Sequence, residues 1–116
     1  PSPPTTPSPR RDLTSPDHLA ATAQIFQALA HPARLLMVQA LREGECCVGD
    51  LRQLVGSDIS TVSRHLSVMK QAGIVGAEKR GNQVFYSLLV PCVVDMFGCI
   101  ESVLAARAAR LPQELA

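Results

Sequence analysis

Apolar residues return every three or four positions along most of this chain, and glycines and prolines interrupt the pattern. Leu19, Ala23, Phe26 and Leu29/Ala30 share one face of a helix over about 18–30, with Asp17 as its N-cap. His31-Pro32 ends that helix, because the residue before a proline avoids the α region. Pro32 suits the first turn of a second helix, about 32–42, which buries Leu35, Leu36 and Leu41 and is closed by Gly44. A third helix runs from about Val48 to Val55 and is closed by Gly56. A fourth, capped by Asp58 or Ser60, runs to Ala72 with Gly73 as its stop. In it Ile59, Val62, Leu66 and Met69 form one buried stripe.

The pattern then changes. Two strands, about 75–79 and 84–88, are joined by Arg80-Gly81-Asn82-Gln83. Pro91 opens a fifth helix to about Arg107, apolar on almost every side through Val93, Val94, Met96, Phe97, Ile100, Val103 and Leu104. A terminal helix of that kind needs cover that a small chain does not supply, so a second copy is the expected partner. Four helices, two strands and a helix, in that order, define a fold that is mainly α with a small β-wing: a winged helix-turn-helix homodimer.

Composition agrees with helices around one core. The chain has 116 residues, 47% of them hydrophobic but only 3% aromatic, with no Trp. A core of Leu, Val, Ala and Ile suits packed helices better than a β-sandwich. Residues 1–16 hold six of the nine prolines and read as a disordered arm ahead of a domain at 17–110, with 111–116 as a tail. No apolar run approaches the roughly 20 residues that span a bilayer. The first residues lack the charged and apolar regions of a signal peptide, so a cytoplasmic location is expected.

Net charge is +1, which decides nothing, but its distribution does. Between Ser60 and Gln83, Arg64, Lys70, Lys79 and Arg80 stand against Glu78 alone. That local excess is what a phosphate-facing surface needs. Opposite its buried stripe the fourth helix presents Ser60, Thr61, Ser63, Arg64, Ser67 and Lys70, a narrow polar face able to enter a major groove. Its hydroxyls reach phosphates or base edges, and Arg64 grips guanine O6/N7 or a phosphate pair. His65 reads either as a DNA contact or as a packing and capping residue. In the wing Lys79, Arg80, Asn82 and Gln83 surround a Gly81 turn that allows close approach to double-stranded DNA. No nucleophile–base pair, phosphate loop or HExxH-like motif appears, so an enzyme is not expected.

The four cysteines, Cys46, Cys47, Cys92 and Cys99, suggest metal or redox chemistry rather than a disulfide framework. Trivalent arsenic or antimony prefers three thiolates, and other thiophilic ions also favour sulfur. Cys46 and Cys47 stand at a helix start, where the dipole favours the thiolate. Cys92 and Cys99 share a helix face but are separated by about 10.5 Å of rise, so they cannot both hold one small ion. Either Cys92 joins Cys46/Cys47 while Cys99 packs at an interface, or Cys99 comes from the partner subunit. A second reading is a redox or reactive-sulfur switch that uses a cysteine pair without metal.

Several segments together resemble the ArsR/SmtB family of winged-helix metal-responsive repressors. They are Phe26-Gln27-Ala28-Leu29-Ala30-His31-Pro32-Ala33-Arg34, Glu45-Cys46-Cys47-Val48-Gly49-Asp50-Leu51, Ser60-Thr61-Val62-Ser63-Arg64-His65-Leu66 and Arg80-Gly81-Asn82-Gln83-Val84-Phe85-Tyr86. The resemblance implies a homodimer that holds operator DNA without inducer and releases it when a metal or metalloid such as As(III) or Sb(III) binds. Arsenic and cadmium sensors of the family carry a Glu-Leu-Cys-Val-Cys-Asp-Leu box. Here Cys47 falls on its first cysteine, Gly49 replaces the second, and Cys46 takes the leucine place. Zinc sensors of the family use Asp and His on the last helix, whereas this chain has no histidine after His65. At the two cysteine positions of similar persulfide sensors stand Gln39 and Ala105.

Overall fold

The computed structural model describes residues 13–115, with side chains to 110. The proline-rich arm therefore lies outside the described residues up to position 12. Its last residue, Pro16, is already the first of α1 (Pro16–Leu29). The cap is Ser15 rather than Asp17: its hydroxyl accepts from the His18 amide at 3.2 Å. Pro16 explains the earlier start, since its fixed φ suits the first helical position, where its missing N–H costs nothing. There follow α2 (Pro32–Arg42), β1 (Cys46–Cys47), α3 (Val48–Val55), α4 (Ile59–Gln71), β2 (Val75–Arg80), β3 (Gln83–Leu88) and α5 (Cys92–Leu115).

The strands form one antiparallel sheet in the order β1-β3-β2. β1 is the element that the hydropathy pattern did not show, since two residues leave no alternation to read. It pairs Cys46 with Tyr86 and Cys47 with Phe85. β2 and β3 are joined by a two-residue turn in which Gly81 takes φ 64°. Only Gly accepts that conformation freely at the first turn position, which lets the strands keep their twist. The fifth helix runs beyond Arg107 through residues assigned to a tail. The alanines between Leu104 and Arg110 carry high helix propensity after the apolar stripe has ended.

The core is built from Met37, Val38 and Leu41 of α2, Leu51 of α3, and Val62, Leu66 and Met69 of α4. Ala28, Leu29, Ile74, Val75 and Val94 complete it. Two stripes read from the sequence are corrected. Leu36 is 40% exposed because Met37 and Leu41, four apart, define the inward line of α2. Ile59, at the first position of α4 next to the Asp58 cap, is 44% exposed. The apolar residues Leu19 and Phe26 of α1 and Ile100, Val103 and Leu104 of α5 all remain exposed. Among the described residues, therefore, the first and last helices keep exposed apolar faces.

Candidate nucleic-acid interface

α3 ends at Gly56, whose φ of 78° turns the chain sharply. The connection is brief, and α4 begins with Asp58 as N-cap, its carboxylate accepting from the Thr61 amide at 3.2 Å. Hydrogen bonding from Thr61, its side chain first and then this amide, holds the Asp58 carboxyl below the usual carboxylate range. α3, the turn and α4 thus form the helix-turn-helix.

With Val62, Leu66 and Met69 turned inward, Ser60, Ser63, Arg64, Ser67 and Lys70 lie exposed on the outer face of α4. Thr61 is half-buried beside the cap. These residues project from one rigid helix held by its apolar side, the arrangement that groove reading requires.

His65 does not belong to that face. It is only 7% exposed, and its ring lies 4.3 Å from the ring of His31. Arg34 Nε donates to His65 Nδ1 at 3.0 Å, and Arg34 Nη1 donates to the Ala28 carbonyl at 3.3 Å. The reason is periodicity: 65 follows Val62 by three and precedes Met69 by four, so it shares their buried line. His65 therefore ties α4 to α2 and to the end of α1. It accepts from a guanidinium, so the imidazole is neutral there. Burial first, then the positive surroundings of His31, Arg34 and Arg64, push its pKa below the ordinary value.

The unfolded chain takes up a proton at His65 near pH ~6.5, whereas the folded chain resists it. The stability held by neutral His65 is therefore complete above that pH and declines as pH falls below it. Thermal unfolding at pH 7.5 and at pH 5.5 should show a loss at the lower value that His65→Gln diminishes. An equal loss in the variant would place the sensitivity elsewhere.

In the wing Lys79, Asn82 and Gln83 are exposed as expected. Arg80 is corrected. It is exposed, but it is paired with Glu45 and with Glu78, each at 2.9 Å, rather than presented as a bare charge.

The thiols are not gathered. Adjacent strand residues point to opposite faces. Cys46 shares its side of the sheet with Tyr86 and packs against the core. Its thiol donates to the Gly44 carbonyl at 3.6 Å. Burial pushes this thiol up, helped by Asp50 and Cys47, which reverses the activation expected from the helix start. Cys47 faces the other way, pairs with Phe85, and lines an open cleft of about 640 Å³ with Asp50, Arg52, Gln53, Ser57 and Gln83. A Cβ at Gly49 would lie 3.8 Å from Cys47 Sγ, so a second thiol at 49 would stand beside the first. Cys92 and Cys99 are both exposed on α5. Among the described residues no three His, Cys, Asp or Glu side chains form a group that could hold a metal ion.

A helix-turn-helix with a hydroxyl- and arginine-bearing second helix, followed by a basic two-stranded wing, defines a DNA-binding protein of the winged-helix class. Residues 31–76 match the model of the bacterial regulatory protein, arsR family. The chain is 37% identical over 84 residues to the helix-turn-helix transcriptional regulator Rv0081 of Mycobacterium tuberculosis, covering 72% of this chain and 74% of that one. The crystal structure of Rv0081 superposes with a TM-score of 0.69, covering 84% of this chain and 96% of that chain. The biofilm growth-associated repressor of Xylella fastidiosa is 33% identical over 85 residues, covering 73% of this chain and 75% of that one. A homodimeric winged helix-turn-helix domain from Mycobacterium bovis, 25% identical, superposes with a TM-score of 0.67 over 91% of this chain and 94% of that chain. The chain belongs to the ArsR/SmtB family: it is a transcriptional regulator and not an enzyme. Among the described residues no helix is long and apolar enough to cross a membrane.

Sequence reasoning missed two features of this surface, the Arg34–His31–His65 cluster and the Glu45–Arg80 pair. The first had a signal in His31-Pro32-Ala33-Arg34, three polar or turn-forming positions beside a helix start. The second had none, because 35 residues separate the partners.

Proposed function

We propose that this protein is a dimeric repressor that holds a two-fold operator in its resting state and lets go when Cys47 reacts with, or ligates, a thiol-reactive species. The observation that carries the regulatory part is the position of Cys47. It is the N-cap of α3, the first helix of the helix-turn-helix, and its ladder partner Phe85 lies in the wing. A change at this sulfur therefore bears on both parts that meet DNA. The exposed apolar faces of α1 and α5 support a dimer, as does the homodimeric relative. The repressors among the relatives support the sign of regulation. In such a dimer the two α4 helices enter successive major grooves roughly 34 Å apart.

The residues of one chain do not fit an ion held by three thiolates. Cys46 and Cys47 point to opposite faces, and no group of three ligands exists among the described residues. Arsenite and antimonite belong to the same reagent class, but a three-sulfur site for either needs thiols beyond those that one chain brings together. Persulfide and peroxide need only one accessible sulfur, which they convert to a persulfide with loss of the donor thiolate, or to a sulfenic acid with loss of hydroxide.

The test uses a duplex selected from a random pool by the reduced protein. Its release is followed separately with persulfide, peroxide, arsenite, antimonite, cadmium and zinc. Release by thiol-reactive species supports the proposal, and the arms distinguish oxidation from ligation. Release by zinc alone contradicts it.

A further inference from the structure

The far end of β2, an edge strand of the wing, has little of its own to hold it. Of the six residues of β2 only Val75 is buried, and the last four are exposed. A two-stranded hairpin in water is marginal, and β1 reinforces it over two residues only. β3 is half-buried, with Tyr86 and Leu88 against the core, but the exposed end of β2 relies on polar contacts, and these converge on Arg80.

Arg80 Nη1 and Nη2 donate to Glu45 Oε1 and Oε2 at 3.2 and 2.9 Å, a parallel fork. Nη2 also donates to Glu78 Oε2 at 2.9 Å. The guanidinium carbon lies 4.9 Å from the centre of the Phe85 ring. The register explains this convergence: Phe85 pairs with Glu78 on one side and with Cys47 on the other, so all three share a sheet face. Arg80 follows Glu78 by two and lands on that face, diagonal to Phe85. Glu45, one residue before β1, approaches it from the helix-turn-helix side of the sheet. Arg80 thus joins the tip of β2 to the segment that leads into α3. Glu78 is held below the ordinary carboxylate range by Arg80, which agrees with a formed pair.

We infer that Arg80 is a positioning residue of the wing, latched by Glu45 against the face of Phe85, and that Lys79, Asn82 and Gln83 are left to meet the phosphates. The latch sets the wing's angle to α3 and α4, so both grips reach DNA together. Only a planar fork satisfies the bidentate carboxylate and the ring at once; an ammonium keeps the charge but not the geometry.

The inference concerns DNA binding by the reduced protein and stands apart from any thiol chemistry. It makes a prediction of unusual sign. Removing an acidic side chain near DNA ordinarily tightens binding, because a repulsion to phosphate is lost. Here Glu45→Ala should weaken binding to the selected duplex, by about fivefold given the usual worth of an exposed pair. Arg80→Lys should weaken it as much as Arg80→Ala. In all three the slope of log affinity against log salt should stay as in the unaltered protein, since no phosphate contact is lost. The pair is on the surface, so the variants should fold, and circular dichroism checks that. The inference is overturned if Glu45→Ala binds as tightly or more tightly, or if Arg80→Ala lowers the slope by about 1.8, one contact from each protomer, while Arg80→Lys does not, the mark of a direct phosphate contact.

Discussion

Arg64→Ala should remove operator binding while leaving helix content and oligomeric state unchanged. The side chain lies exposed near the middle of α4, between the Ser60–Ser63 and Ser67 hydroxyls. Unlike Arg80, it has no salt bridge among the described residues. Its neighbours Val62, Leu66 and Met69 anchor the opposite side of the helix, so the truncation touches nothing in the core. A bidentate arginine–guanine contact discriminates by about 1–3 kcal/mol per site. A dimer loses it at both half-sites, about 2–6 kcal/mol in all, which weakens binding about 30-fold or more. Fluorescence anisotropy on the selected duplex, with circular dichroism and sedimentation as controls, measures it. Binding retained within a few-fold would mean that a different face of α4 meets the groove.

A second large effect lies on the inner side of the same helix. Leu66→Ala should destabilise the protein by about 2–5 kcal/mol, from lost burial and from the cavity that remains. Leu66 is fully buried within the cluster that joins α2, α3 and α4. Small domains have only about 5–15 kcal/mol in total, so the change would show as a large fall in the urea midpoint. Ile59→Ala, on the stripe that the sequence placed beside Leu66, should cost less than about 1 kcal/mol at its exposed position. Equal losses in the two variants would restore that stripe and refute the burial seen here.

The difference between Leu66 and Ile59 shows where reading from sequence succeeds. The 3.6-residue period located α1, α2 and α4, and glycine and proline placed α3, the start of α5 and most other ends, because those signals are local to one element; the end of α5 was set about eight residues short. The order of elements and the glycine turn of the wing then specified the winged helix-turn-helix. What escaped depends on partners distant in the chain. β1 exists only because Tyr86 and Phe85 pair with Cys46 and Cys47, and two residues carry no period of their own. The burial of His65 depends on Arg34 and His31 meeting it across the fold. The Glu45 partner of Arg80 was not legible either, because that carboxylate lies 35 residues away, before β1. Cysteine positions were legible, but their directions were not. Strand geometry separates Cys46 from Cys47, and that separation redirects the regulatory proposal from a three-thiolate ion toward the chemistry of one outward sulfur.

That redirection is tested by comparing the reduced protein with Cys47→Ser on the selected duplex, before and after exposure to each thiol-reactive species. The proposal predicts equal affinity before exposure. After exposure the unaltered protein should bind about 150-fold more weakly, a coupling of about 3 kcal/mol, while Cys47→Ser keeps its hold. If Cys47→Ser releases DNA as the unaltered protein does, the signal enters through another residue and the proposed role of Cys47 is wrong.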